Sequence, residues 1–227
     1  MNRLRSSPER RARHVPRHTV GAFGPFASIA FAIVVAALVG PSRVVAQAPV
    51  GLVELMTTLA QTPTGEALFT ERRQIAMLEQ TLESSGRLSF EAPDTFVRET
   101  LKPRRERVAV VGNQLTLTQG SRTRTLAIDA NPEAALIVEA IRGTLTGNRE
   151  GLERIFKASV SGDARQWRLD LVPRDWRLLA QVRSITVSGH AGVVREVQVL
   201  LPDGDRSVMI IEPVAPRTPS PVAPARP

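Results

Sequence analysis

Apolar and polar residues alternate with a period of two over most of residues 65–129, the pattern of strands with one buried and one solvated face. Turn residues interrupt this region at Pro93-Asp94, Gly112-Asn113 and Gly120-Ser121. The runs between and around them predict strands over residues 67–77, 82–91, 95–101, 107–111, 115–118 and 122–128. Because the turns are short, we expect consecutive strands to pair as an antiparallel meander.

The apolar spacing becomes helical in two places. Residues 50–61 carry apolar side chains at Leu52, Leu55, Met56 and Leu59, which predicts a short amphipathic helix. Asn131-Pro132 is a typical helix start, so a second helix is predicted to about residue 145, with a further helical turn at 149–155.

Strand-like segments resume over residues 155–161, 166–172, 182–188, 193–201 and 207–212. About eleven short strands with two or three helices predict one mainly β domain of the α+β class. Its expected form is a strongly curved antiparallel sheet with helices inside or across it.

The two ends of the chain differ from this domain. Residues 1–46 combine an arginine-rich start with an uncharged apolar stretch at 26–39, which predicts a signal peptide cleaved after Ala46. A retained membrane anchor is the alternative, because residues 19–42 carry no charge. The domain is expected over residues 47–212, and the proline-rich residues 213–227 predict a disordered tail.

Charge and cysteine content restrict the function classes. The chain has a formal charge of +8, but residues 1–46 account for +6 of it, so the remainder shows no footprint of a nucleic-acid-binding protein. The chain contains no cysteine, so it has neither a disulfide nor a lipoprotein acylation site. With the predicted export signal, this composition favours the periplasm of a Gram-negative bacterium.

Residues suited to catalysis or metal binding are scarce after residue 46. The single histidine there, His190, lies in a predicted turn, and Asp203 and Asp205 flank Gly204 in a predicted hairpin. Calcium binding by these two carboxylates is the alternative to a turn role. We therefore predict no enzymatic activity, no metal and no cofactor.

The segment around Pro93 carries an ordered series of residues: Gly86, Leu88, Phe90, Pro93, Asp94, Phe96 and Pro103. This series resembles the corresponding segment of the LolA family of periplasmic outer-membrane lipoprotein carriers. Similarity continues over residues 108–111, 115–117, 167–173, 185–187, 192–199 and 205–207. It spans roughly residues 52–212 in all.

This resemblance implies an unclosed antiparallel β-barrel, or half-barrel, with an α-helical lid over an apolar cavity. The implied cargo is a lipoprotein or other acylated lipid, passed from an inner-membrane donor to an outer-membrane acceptor by a protein expected to be a monomer. The residues expected to line the cavity are Leu88, Phe90, Phe96, Val108, Val110, Leu115, Leu117, Leu136, Ile137, Val138, Ile141, Trp167, Leu169 and Val199. Ordinary core packing is the alternative for each of them.

One position departs from the family. Carriers of the family place an arginine that helps hold the lid closed immediately before the first proline, where this chain has Ala92. The departure leaves other cargoes open, such as a glycolipid or an acylated metabolite. It also leaves open a periplasmic interaction protein that transports nothing.

Overall fold

The computed structural model describes residues 49–78 and 80–214. The strands are β1 (Thr64–Ile75), β2 (Gln80–Glu91), β3 (Thr95–Lys102), β4 (Glu106–Val111), β5 (Gln114–Gln119), β6 (Arg122–Ala127), β7 (Phe156–Gly162), β8 (Trp167–Pro173), β9 (Ser184–His190), β10 (Val193–Leu200) and β11 (Arg206–Pro213). The helices are α1 (Leu52–Leu59), α2 (Pro132–Leu145), α3 (Arg149–Ile155) and α4 (Trp176–Leu179), with 3₁₀ turns at Ala76–Leu78 and Ile128–Ala130.

The strands form one antiparallel sheet in the order β6-β5-β4-β3-β2-β1-β11-β10-β9-β8-β7. Each strand pairs with its neighbour in sequence except at the centre, where β1 pairs with β11. Strands β6 and β7 end the order without pairing to each other, so the sheet is not closed into a barrel. The prediction of a mainly β, unclosed antiparallel architecture with helices is confirmed.

The predicted helices begin where the sequence indicates. The side chain of Asn131 accepts a hydrogen bond from the backbone N–H of Ala134 at 3.0 Å, and Pro132 occupies the first turn of α2. Asn148 caps α3 in the same way, through the N–H of Gly151 at 2.9 Å. Helix α4 was not predicted, because its four residues are too few to show a helical period; Asp175 caps it through the N–H of Arg177.

The core lies on one face of the sheet, which we call the inner face. Helices α1, α2 and α3 pack there against the strands of the C-terminal half. The most deeply buried side chains are Leu55, Leu152, Phe156, Trp167, Leu169, Leu171, Val182, Ile185 and Val187. Within the described residues, no helix has the length and apolar character needed to span a membrane.

The predicted signal peptide and most of the predicted tail lie outside the described residues. Strand β11 continues to Pro213, one residue into the predicted tail. Residue Val214 still donates its backbone N–H to the carbonyl of Glu66 at 2.8 Å.

Candidate functional site

The inner face of the N-terminal half, on β2 to β6, carries side chains in rows that run across the strands. The register aligns Phe90, Phe96, Val110, Leu115 and Leu126 in a first row. A second row aligns Leu88, Arg98, Val108, Leu117 and Arg124. The face therefore changes from apolar at one end of the strands to mixed about two residues further along.

Most side chains of these rows are only half-buried. Of the predicted lining residues, Val110 is 4% exposed, whereas Leu88, Phe90, Phe96, Val108, Leu115 and Leu117 all keep intermediate accessibility. The rings of Phe90 and Phe96 stack with their centroids 4.9 Å apart. We call these six half-buried residues the apolar patch. A patch of this kind on the inner face is suited to contact with an apolar ligand.

The remaining predicted lining residues lie in or against the core. Trp167, Leu169 and Leu136 are 2%, 0% and 5% exposed and belong to the core itself. Residues Ile137, Ile141 and Val199 are partly buried and pack against it. Val138 is half-buried. The structure thus brings six of the predicted residues together as an accessible patch and places the four buried ones, Val110, Leu136, Trp167 and Leu169, among protein side chains.

An ion pair borders the apolar patch on the inner face of β1 and β3. Arg98 donates through one Nη to Glu71 and, at 3.1 Å, to the hydroxyl of Ser84. Glu71 also accepts hydrogen bonds from the hydroxyls of Ser84 and Ser207. The side chains of Arg98 and Glu71 are 33% and 14% exposed, so the pair is substantially desolvated.

Arg98 also lies over an aromatic ring. Its guanidinium carbon is 4.8 Å from the centroid of Phe69, and its Nε is buried with no hydrogen-bond partner among the described residues. Sequence reasoning missed this cluster. The period-two alternation contains a signal for it, because Arg98 follows Phe96 by two residues and must share its face.

Helix α2 is attached to the opposite edge of the patch by Arg142. This side chain pairs with Glu139 on the same helix and donates to the backbone carbonyl of Gly112, in the β4–β5 turn, at 2.7 Å. Position 92, where the family has its arginine, holds a different contact: the N–H of Ala92 donates to the carbonyl of Pro63 at 2.7 Å. In this chain Arg142, an arginine on a helix, makes a hydrogen bond to the sheet, whereas position 92 in the β2–β3 turn has no arginine.

The two aspartates considered for calcium have structural partners. Asp203 accepts from the N–H of Asp205 at 3.0 Å, which is the geometry of an Asx turn. Asp205 accepts from the N–H of Ala76 at 3.0 Å and pairs with Arg73 at 3.4 Å. Among the described residues there is no group of three or more potential metal ligands.

A polar network lies on the outer face of β8 and β9. Burial raises the pKa of Asp170, but hydrogen bonds from Arg168 and Thr186 lower it by more, so its pKa lies below the ordinary value of 3.8. The hydrogen bond that Arg168 donates to Asp170 in turn raises the pKa of Arg168. The network therefore stabilises the charged form of both side chains.

Two depressions on the outer face are lined mainly by polar and charged residues. The larger, about 470 Å³, is lined by Arg72, Gln74, Thr81, Glu83, Arg206 and Val208. The smaller, about 250 Å³, is lined by Arg168, Ser184, Thr186, Gln198, Val199, Leu200 and Arg206. Their charged lining does not suit an acyl chain, so the apolar patch remains the candidate site.

Comparison with known proteins points to one family. A family profile described as "Outer membrane lipoprotein carrier protein LolA-like" matches residues 45–217. No curated protein matches the chain.

Several solved structures are similar to the chain. A LolA superfamily protein from Nitrosomonas europaea is 9% identical with a TM-score of 0.38, over 71% of this chain and 90% of that one. A DUF1329 family protein from Desulfovibrio piger is 10% identical with a TM-score of 0.43, over 71% and 88%. LprF from Mycobacterium bovis is 10% identical with a TM-score of 0.36, over 74% and 94%.

Proposed function

Because the chain belongs to the LolA-like family of outer-membrane lipoprotein carrier proteins, we propose that it is a periplasmic carrier that holds acyl chains against the inner face of its sheet. The cargo in this proposal is a lipoprotein or another acylated lipid, taken from an inner-membrane donor and moved toward an outer-membrane acceptor. The observation that carries the proposal is the apolar patch, whose six side chains are half-buried on the face where a fully packed domain would bury them.

The energetics favour this use of the patch. An acyl chain costs about 0.8 kcal/mol per CH₂ group in water, so a lipid anchor needs an apolar environment throughout its journey. Contact with side chains such as Phe90 and Phe96 supplies that environment in place of the bilayer. Because bilayer and carrier are both apolar, the net cost of transfer between them is small.

The borders of the patch support an orientation for the acyl chains. The Glu71–Arg98 pair lies next to Leu88 and Val108 and would be unfavourable beside a hydrocarbon chain. We therefore propose that the chains run along the first row, across the strands. Helix α2 covers them as the lid, and its hydrogen bond from Arg142 to Gly112 breaks when the lid opens.

The lipid content of the purified protein tests this proposal. Protein expressed from the full-length gene and purified without detergent is extracted and analysed by mass spectrometry, and its binding of a fluorescent fatty acid is measured. We expect co-purified acylated lipid and saturable probe binding. Finding neither would refute the carrier function, and the identity of the lipid separates a lipoprotein cargo from a glycolipid or an acylated metabolite.

A pair of variants locates the site. Leu115→Asn places an amide in the first row of the apolar patch, whereas Val111→Asn makes a comparable change on the neighbouring strand, on the outer face, where Val111 is 57% exposed. The first variant should weaken probe binding several-fold, because a polar group then faces the hydrocarbon without a partner. The second should bind as the unmodified protein does. Equal affinities in the two variants would place the ligand elsewhere.

A further inference from the structure

The end of the sheet formed by the β3–β4 and β5–β6 turns carries a concentration of positive charge. The side chains are Lys102, Arg104, Arg105, Arg107, Arg122 and Arg124, and we call them the basic rim. The pairing of Arg107 with Thr118 and of Gln119 with Arg122 puts both turns at the same end. Three strand spacings separate β6 from β3, so the basic rim extends over about 15 Å.

The charge of this region is neither balanced nor internally paired. Residues 99–124 hold six basic and two acidic side chains, a net of +4, whereas residues 47–227 as a whole have a net of only +2. All six basic side chains are exposed, and within residues 49–78 and 80–214 none of them pairs with a carboxylate. Of the two acidic side chains, Glu106 accepts a hydrogen bond from the side chain of Gln119.

Exposed apolar side chains adjoin the basic rim. Leu101 is 37% exposed at the bulge that precedes Lys102. In the adjacent β1–β2 hairpin, Leu82 is 44% exposed and Met77, in its connecting turn, is 87% exposed. Exposed apolar groups next to cations fit a surface that has phosphates outside and hydrocarbon beneath.

We propose that the basic rim docks the protein on an anionic phospholipid bilayer, with Met77 entering the headgroup region. The arginines and the lysine meet lipid phosphates, for which guanidinium groups are suited by their paired donors. An acidic protein or polyanion would satisfy the charges alone but would give no role to the exposed Met77 and Leu101. The proposal does not depend on what the apolar patch binds.

Vesicle flotation tests the docking. Protein expressed from the full-length gene is mixed with vesicles of phosphatidylcholine containing phosphatidylglycerol, or of phosphatidylcholine alone, at low and high salt. We expect binding to the anionic vesicles that weakens with salt. Replacing Arg104 and Arg105 by Gln should lower the partition coefficient about 30-fold, from the loss of two basic side chains near the surface.

The matched control removes equal charge elsewhere. Arg154 in α3 and Arg195 in β10 are exposed, and the variant Arg154→Gln/Arg195→Gln should bind as the unmodified protein does. All of the protein variants share the same first 46 residues, so any contribution of that segment to vesicle binding is the same in each of them. Equal losses in both double variants, or equal binding to neutral vesicles, would overturn the proposal.

The orientation of the protein on the bilayer can be measured with a dye at a single introduced cysteine, because the chain has no cysteine of its own. An environment-sensitive dye attached to Met77→Cys should report an apolar environment when vesicles are added, whereas the same dye at Val193→Cys, in the β9–β10 hairpin, should not. A response at position 193 alone would contradict the docking. Binding to heparin that needs Arg104 and Arg105, without binding to vesicles, would identify an acidic macromolecule as the partner and overturn the bilayer assignment.

Discussion

Gly86 lies where a β-bulge brings the backbone of β3 close to that of β2. A Cβ atom added at this glycine would be 1.9 Å from the carbonyl oxygen of Glu99 and 2.9 Å from the Cα of Thr100. Both are backbone atoms, so no side-chain rotation relieves the overlap. Because ordinary contacts between heavy atoms begin near about 3.5 Å, the variant Gly86→Ala must push the two strands apart by more than about 1 Å.

That displacement has an energetic cost that we estimate at about 3 kcal/mol, the upper part of the range for overpacking, since ladder hydrogen bonds beside Gly86 weaken as well. Urea unfolding followed by circular dichroism measures it. With a slope of about 2 kcal/mol per molar urea, the midpoint should fall by about 1.5 M.

Gly65→Ala is the control, because Gly65 is also a strand glycine but has nothing within 4 Å of the added Cβ. Its stability should change by no more than about 0.5 kcal/mol. If Gly86→Ala is insoluble while Gly65→Ala is not, the same conclusion holds. Equal midpoints for the two variants would refute the steric argument.

Two further predictions concern charged groups. Arg98→Met or Glu71→Leu alone should destabilise the fold by about 1–3 kcal/mol, because each variant leaves a partly buried charge without its partner. The double variant should recover most of this loss. If the two losses are instead additive in a double-mutant cycle, the two side chains are not coupled. Asp170→Asn should lower the free energy of unfolding at neutral pH, because the lowered pKa of Asp170 stabilises the fold only while its carboxylate is charged. The difference between the variant and the unmodified protein should therefore shrink as the pH falls below the ordinary aspartate pKa of 3.8. A difference that does not depend on pH would argue against the hydrogen bonds from Arg168 and Thr186 as its cause.

Local patterns in the sequence predicted the strands and helices well. Strand-like runs bounded by turn residues located the eleven strands of the described part of the chain to within a few residues, and Asn131-Pro132 located the start of α2. These features depend on the conformational preferences of short segments, and the residues of each segment contain that information. Helix α4 lacked such a signal because one turn cannot establish a period.

Long-range features were not predictable in the same way. Alternation shows that Trp167 and Leu117 both face inward, but only the placement of the helices decides that Trp167 is buried and Leu117 is half-buried. Likewise, Glu71 finds its partners on three other strands, and the spacing of residues along one strand contains no information about them.

The pairing of β1 with β11 at the centre of the sheet governs when the fold can be completed. The two halves, β1 to β6 and β7 to β11, are each assembled from sequence neighbours, but the join between them needs residues 136 positions apart, such as Glu71 and Ser207. During synthesis, which proceeds from the N-terminus, one side of β1 stays unpaired until β11 has been made. Because the entropy of closing this long loop is lost before the contact forms, we expect the central join to be the slow step of folding. Until then the unpaired edge of β1 is open to pairing with other chains, so we expect aggregation during synthesis to begin at this edge.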